Sequence, residues 1–344
     1  MSFDAIDTAA AKSGSRLDLS LALADNENTR PLLDGSVTVQ GARLLPTAVH
    51  PSEMFWRQLK YGDFDISEMS LSSLLISVSK GASQWTAIPV FTSREFYHTR
   101  VLVRAGANIR TPADLRGKRV GVPEYQQTAA IWSRAALAHE FGVEPREIEW
   151  FMERPAEKSH GGSTAFKPPE GVVVNQIPPT TNIGEMLLND KLDATLLYLA
   201  NRNLVDRSRV ALTSSEHVRP LFPDAKAEGR RYYAKTSLYP INHTIVVRRS
   251  LLERHPWIAL NLYHAFAAAR AEVMARGRAF LRPYDALGLI DDRNRHALEA
   301  DAMPYGLAAN RLVLETLAQY VHEQGLTARR VDLGEVFAPS TLEL

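Results

Sequence analysis

Strand-like and helix-like segments alternate along almost the whole chain, and no other feature restricts its fold as tightly. Residues 17–24 set leucines against Asp18 and Ser20, the two-residue alternation of a strand, and run into the polar turn Asp25-Asn26-Glu27-Asn28-Thr29-Arg30. A second strand is expected around 37–45, a short helix over 50–59, short strands at 65–69 and 88–91, and a longer β-branched strand at 99–104. Strands separated by helices build an α/β architecture with a largely parallel sheet, because a parallel pair needs a crossover long enough to hold a helix. No repeat of 20–50 residues interrupts the pattern. At 344 residues the chain has the length of about two domains and can bury a core without a disulfide or metal staple.

The clearest punctuation lies in Thr111-Pro112-Ala113-Asp114-Leu115-Arg116-Gly117-Lys118-Arg119-Val120-Gly121-Val122. Thr111 can cap a helical turn, Pro112 suits its first position, Asp114 sits three residues after the cap, and Gly117 ends the turn. A strand follows at 119–122, then Pro123-Glu124-Tyr125-Gln126-Gln127-Thr128 and an apolar-faced helix over 129–141 closed by Gly142. A strand is expected at 148–151. Residues 153–179 are rich in Gly, Pro, Lys and Ser and read as a long surface loop. A helix near 183–189 leads into a strand at 194–199, and a strand over 239–247 precedes the capping box Ser250-Leu251-Leu252-Glu253. Helices at 256–281, 293–301 and 311–324, the last closed by Gly325, complete the chain.

Composition narrows the function. Cysteine is absent, which excludes disulfide frameworks, thiolate zinc sites, iron–sulfur clusters and a cysteine nucleophile. Forty Lys and Arg against 39 Asp and Glu leave a net charge of +1, without the basic excess of a nucleic-acid binder. Residues 1–16 lack the basic start and apolar run of about 7–15 residues that mark a secretory signal. No stretch approaches the ~20 apolar residues of a membrane span. The expectation is therefore a soluble, cytoplasmic protein with neither membrane nor nucleic-acid partner, its residues 1–16 disordered or loosely attached, and with homo-oligomerisation left open. H-E-x-x-H, paired-histidine helix spacing, a Walker loop, a dinucleotide fingerprint and a G-x-S-x-G elbow are all missing, so neither a metal nor an organic cofactor is expected.

The run "TPADLRGKRVGVP" after a strand ending "VLVR" resembles the lobe crossover of the type II periplasmic-binding-protein fold. That likeness implies two α/β lobes with a C-terminal helical segment: 17–107 as the first part of lobe I, 108–238 as lobe II, and 239–344 returning to lobe I. The crossings would fall near 105–109 and 237–241. More specifically, "GVPEYQQTAAIW", "FTSREFYHT", "PINHTIVVRR" and "HPWIALNLYHAF" resemble the 4,5-dihydroxyphthalate decarboxylase family, with a likeness from about Leu17 to Tyr320. Tyr97 stands where that family usually has an Arg, and Asn242 where it usually has a Met. The resemblance implies non-oxidative loss of CO2 from a dihydroxylated benzene dicarboxylate in the interlobe cleft, by protonation of the ring carbon that carries the carboxylate. No electron sink is required, because an ionised hydroxyl para to the carboxylate supplies one.

Such a site needs donors for two carboxylates, a partner for the phenols and an acid over the ring. Arg30 and Arg94 follow strands and can hold a carboxylate in a fork, with a surface salt bridge as the alternative role for each. Ser70, Ser72 and Ser73 follow the 65–69 strand and can offer hydroxyls or simply cap a helix. Glu124, Tyr125, Gln126 and Thr128 precede a helix whose free N–H groups favour an anion. Among ten histidines, His139, His264 and His322 sit within helices and read as structural. His98 and His243 open strands beside the presumed crossovers and lie in family-like tracts, so they are the expected acid and base. His98 is favoured as the acid, with Glu124 and Glu68 as further candidates. A non-catalytic binder of small anions, of the solute-receptor type, is the alternative, since this fold most often serves binding.

Overall fold

A computed structural model describes residues 16–344 apart from 82, 213 and 214. The expected loose segment 1–16 lies outside the described residues except for Arg16. The chain builds β1 (Leu17–Leu23), β2 (Ala42–Ala48), β3 (Ile66–Ser70) and β4 (Trp85–Arg94). It then forms β5 (Leu102–Arg104), β6 (Arg119–Val122), β7 (Glu149–Met152), β8 (Val174–Gln176), β9 (Ala194–Thr195) and β10 (Val218–Pro220), and returns with β11 (Ile241–Arg248). Two sheets result, in the orders β2-β1-β3-β11-β4 and β10-β5-β9-β6-β7-β8. Each sheet makes one lobe. The consecutive strands β1, β2 and β3 run parallel in the first sheet, as do β6, β7, β8 and β9 in the second. β11 lies antiparallel between β3 and β4, and β5 antiparallel between β9 and β10. The sheets are therefore mixed, because each crossing strand enters its sheet from the opposite end.

The first crossing comes earlier than expected. β5 pairs with β9 and β10, so residues 102–107 belong with the second lobe, and the chain changes lobes between Arg94 and Leu102 rather than at 105–109. The expected strand at 99–104 is correspondingly split. Residues Tyr97–Arg100 form a 3-10 turn in which the Thr99 hydroxyl donates to Phe96 O at 2.8 Å, a local bond that competes with extended backbone. The chain returns to the first sheet between β10 and β11.

Local chemistry explains most remaining elements. Thr111 and Asp114 form the expected capping box around a 3-10 turn at Pro112–Leu115. Helix Thr128–Phe141 ends at Gly142, whose φ of 66° is the left-handed conformation that lets its N–H reach Ala138 O. Ser250 caps nothing: helix Arg249–Arg254 begins one residue earlier, with the Arg249 N–H still bonded to Gln84 O as part of the chain's exit from the sheet. The strand expected at 194–199 stops at Thr195, whose hydroxyl turns the chain by donating to the backbone, and this frees Leu197 and Leu199 to face the other lobe. Nor is 153–179 a surface loop. It holds a short helix at His160–Thr164 and β8, and Glu153, Arg154 and His160 within it are buried.

The first lobe's core sets Leu21, Leu23, Ile66, Ile88 and Val247 against Ile258, Leu262 and Phe266 of helix Trp257–Ala286. A second, larger core runs from Leu71–Val78 through Ile131, Trp132 and Trp150 to Val313–Val321. Helix Arg311–Glu323 packs on both Leu71–Ser79 and Thr128–Phe141, so it ties the lobes together behind the cleft. Among the described residues no helix is long and apolar enough to cross a membrane.

Candidate active site

A cavity of about 200 Å3 lies between the lobes. The first lobe gives it His50, Ser52, Phe55, Ser70, Ser93, Tyr97, Asn242 and His243, and the second gives Gln127, Thr128, Arg154, His160, Leu197 and Leu199. Three helices start at its wall: Pro51–Tyr61 after His50, Leu71–Ser79 after Ser70, and Thr128–Phe141 after Gln127. Their dipoles favour a bound anion, while the Ser52, Ser72 and Thr128 N–H groups are held by His50 Nδ1, Thr128 Oγ1 and Ser70 Oγ.

His243 sits on β11, buried, with its Nδ1 3.1 Å from Glu68 Oε2 and its Nε2 2.8 Å from the Asn242 amide. Glu68, on β3, also accepts from the Ala24 N–H at 2.7 Å and the Thr92 hydroxyl at 2.6 Å. Three groups thus converge on one buried carboxyl. The Asn242 amide nitrogen can only donate, so Nε2 accepts from it and Nδ1–H donates to Glu68, with the ring on the cavity wall. The Phe55 ring meets His243 edge-on at 4.7 Å between centroids and His160 at 5.8 Å, so it spaces the two imidazoles apart.

Arg154 supplies the buried cation. Its Nε donates to Asp206 Oδ1 at 2.8 Å, its Nη2 to Ser52 Oγ of the other lobe at 2.7 Å, and its Nη1 lies 3.4 Å from His160 Nε2. His160 Nδ1 lies 2.9 Å from Ser73 Oγ. An Arg can only donate, so His160 Nε2 accepts and Nδ1–H faces the serine. Burial, reinforced by Arg154, pushes the His160 pKa well below its ordinary value, so this ring stays neutral. A fully buried cation facing the cavity costs several kcal/mol to desolvate unless its partners are well placed. The geometry meets that condition with Asp206, Ser52 and His160 each partnering one nitrogen of the guanidinium at the cavity wall.

The hydroxyls form a cluster between the lobes. Thr128 Oγ1 lies 2.9 Å from Ser70 Oγ, 3.0 Å from Ser72 Oγ and 2.9 Å from the Ser72 N–H, while Ser72 Oγ donates to Gln126 O at 2.7 Å. Ser70 and Thr128 reach the cavity wall and Ser72 lies behind them. Tyr97 packs on Ala129 and Leu197 with its hydroxyl 3.2 Å from Ser93 Oγ.

The other expected site residues point elsewhere. Arg30 is exposed and paired with Asp25 at 3.0 Å and Glu27 at 2.9 Å, the surface role weighed as its alternative. Arg94 lies on the far side of β4, donating to Pro304 O at 2.9 Å and to Asn310 Oδ1. Its neighbour Ser93 faces the cavity instead, as strand alternation requires. His98 is buried on the 3-10 turn among Phe96, Phe222 and Tyr232, with Nε2 3.1 Å from Glu228 Oε1. Burial lowers its pKa, against the pull of Glu228. Tyr125 points into the second lobe's core, its ring 3.8 Å from the Arg134 guanidinium carbon and edge-on to Trp150. Gln126 holds the Thr164 hydroxyl at 2.9 Å within that lobe.

Glu124 lies one layer behind the cavity, accepting from the His160 N–H at 2.9 Å. Burial pushes its pKa up to about 7, opposed by Arg154. The folded chain then keeps this carboxyl protonated to about pH 7, while the unfolded chain ionises it near its ordinary 4.5. The folded state binds the extra proton between those values, so the contribution is complete below about pH 4.5 and lost as pH rises to 7. Thermal melts should show the wild type losing more stability than Glu124→Gln between pH 5 and 8, by on the order of 5 °C. Equal declines would contradict a protonated Glu124.

Sequence reasoning missed His50, Ser52, Phe55, Arg154 and His160. The last two had a usable signal: 27 structureless residues are more than a compact domain normally leaves idle, and such segments tend to carry function.

A family model for the periplasmic phosphonate-binding protein of ABC transporters matches residues 51–164. The alkanesulfonate-binding protein SsuA of Xanthomonas axonopodis pv. citri superposes with a TM-score of 0.57 at 15% identity, over 94% of this chain and 99% of its own. The 4,5-dihydroxyphthalate decarboxylase of Comamonas testosteroni is 35% identical over 332 residues, covering 96% of this chain and 98% of the relative. That of Pseudomonas putida is 37% identical over 181 residues, 53% of this chain and 70% of the relative. These likenesses place the chain in the two-lobed α/β fold class of the periplasmic substrate-binding proteins, with a cavity between the lobes. Within that class the chain belongs to the 4,5-dihydroxyphthalate decarboxylase family, and so is a carboxy-lyase rather than the solute receptor that its fold alone would favour.

Proposed function

We propose that the protein decarboxylates a hydroxylated benzene dicarboxylate of the 4,5-dihydroxyphthalate type in the interlobe cavity, with His243 as the group that moves the proton. The observation that carries this reading is the Glu68–His243 pair on the wall of a cavity of about 200 Å3, room for one substituted ring, with Nε2 held by the Asn242 amide that lines the same wall. Arg154 and the starts of the three helices bind the carboxylates. Phe55, Leu197 and Leu199 form an apolar wall beside which a leaving carboxylate is poorly solvated, while neutral CO2 is not penalised.

Each hydroxyl of 4,5-dihydroxyphthalate lies para to a carboxylate. The ionised hydroxyl pushes an electron pair onto the carbon bearing that carboxylate, and this carbon takes the proton from His243 Nε2. The carbon–carboxylate bond then breaks, its electron pair returns to the ring, and CO2 leaves with protocatechuate as the aromatic product. Glu68 holds the imidazole in orientation and balances its positive charge when Nε2 is protonated, as a carboxylate does behind other catalytic histidines. The ring supplies its own electron sink; the hydroxyl proton passes to solvent on ionisation, and solvent reprotonates Nε2 for the next turnover.

A substrate series tests this. Phthalate, which has no hydroxyl, should bind competitively and release no CO2. 4-Hydroxyphthalate should lose only the carboxylate para to its hydroxyl and give 3-hydroxybenzoate. Formation of 4-hydroxybenzoate, or turnover of phthalate, would contradict the para-hydroxyl mechanism.

A further inference from the structure

We propose that residues 271–300 form an arm through which two copies of this chain associate. Helix Trp257–Ala286 runs for 30 residues, yet every residue it buries lies in its first half, from Ile258 to Arg270. Helix Asp292–Glu299 buries none. Arg270 and Asp301 close the base of the intervening segment with a guanidinium–carboxylate pair, 3.1 Å from Nε to Oδ1, and Arg270 Nη1 also donates to Asn28 Oδ1 at 2.8 Å. Beyond that clamp the two helices project from the first lobe without a core of their own. Helical stability in proteins comes mostly from packing an apolar face, so a projecting pair of this length is incomplete alone.

The arm carries such a face. Phe280, Tyr284 and Leu287 follow one another at intervals of four and three residues, the spacing of a single helical stripe, and the Phe280 and Tyr284 rings touch at 5.8 Å. They are 70%, 45% and 73% exposed, and Leu289 at 70% and Leu298 at 46% extend the patch. Exposed apolar groups concentrated in this way mark an interaction surface.

Charge selects the occupant. Residues 271–300 hold five arginines, at 276, 278, 282, 293 and 295, and five carboxylates, at 272, 285, 291, 292 and 299, for a net charge of zero. An arm that lay on a lipid surface or nucleic acid would need a cationic excess. A surface that meets its own copy across a two-fold axis is self-complementary, so whatever charges it carries pair there only when both signs are present. Within the arm Arg295 pairs with Asp285 and Asp292, and Arg276 with Glu272. Among the described residues Arg278, Arg282 and Arg293 have no ion-pair partner, and neither do Asp291 and Glu299, so each copy offers free groups of both signs to the other. The arm is rooted in the first lobe, away from Arg154 and His243, and pairing through it leaves the cleft's second wall free.

Sedimentation velocity on the full chain, with the double substitution Leu287→Glu and Leu289→Glu as the comparison, tests the arm. The wild type should sediment at a multiple of its monomer mass. The variant, altered only at exposed positions, should sediment as a monomer with unchanged circular dichroism and turnover. A wild type that is monomeric at every concentration overturns the proposal, as does a variant that keeps the wild-type mass. Binding of a monomeric wild type to anionic phosphatidylserine vesicles would overturn it in favour of a lipid surface.

Discussion

Replacing His243 by glutamine should lower kcat about 10²- to 10⁴-fold, the usual contribution of a positioned acid or base, while KM changes little. Glutamine keeps the size of the side chain and a hydrogen bond to Glu68, but it cannot carry the proton from Nε2 to the ring. The comparison variant is His98→Gln. His98 lies outside the cavity, in an aromatic pocket against Glu228, so its loss should cost stability and leave turnover within about twofold of wild type. Steady-state kinetics on the two proteins separate the roles. Normal turnover by His243→Gln, or collapse of turnover in His98→Gln with its fold intact, would reverse the assignment.

The second large effect is expected at Arg154. Its guanidinium is fixed from three sides by Asp206, Ser52 and His160, so it presents a carboxylate with a planar donor that is already oriented. Lysine keeps the charge but not the fork. Losing a charge-assisted contact costs about 1.5–3 kcal/mol, so Arg154→Lys should lower kcat/KM by roughly 10- to 150-fold, mainly through KM. Arg94→Ala should instead weaken the packing around Asn310 and spare KM. If Arg154→Lys binds substrate normally, the carboxylates are held by other groups and the orientation of the ring must be redrawn.

The elements easiest to read in the sequence were those with local causes. Thr111 and Asp114 announce their turn by side-chain spacing, Gly142 stops its helix by conformation, and β6 was readable to the residue. The overall two-lobed plan was legible as well, through the crossover tract. The site was only partly so. Of the residues named, Ser70, Thr128 and His243 stand on the cavity wall and Glu68 lies behind His243, since they sit at strand ends and helix starts that border the space between the sheets.

Arg94 and His98 show why the remainder was hidden. A strand sends successive side chains to opposite faces, so whether Ser93 or Arg94 faces the cleft depends on parity. Here the pairing of β4 with β11 is interrupted on both sides of His243, and no local rule in the sequence predicts such irregularities. His98 follows Arg94 by four residues, a spacing that would place both on one wall of a strand or helix, but the chain is already turning to change lobes. Arg154 and His160 were concealed by composition. A Gly- and Pro-rich stretch suggests solvent, whereas here its turns fold the polar side chains inward against Asp206 and Ser73.

The central claim is that this cleft protonates a ring carbon and releases CO2. The measurement that reaches it most directly is turnover of 4,5-dihydroxyphthalate by the purified protein in heavy water, followed by proton NMR of the product and quantitation of CO2. One CO2 per protocatechuate, with a single deuterium at the vacated carbon, is the predicted result. Saturable binding of the dicarboxylate with no CO2 released, or a product without deuterium at that carbon, would contradict it.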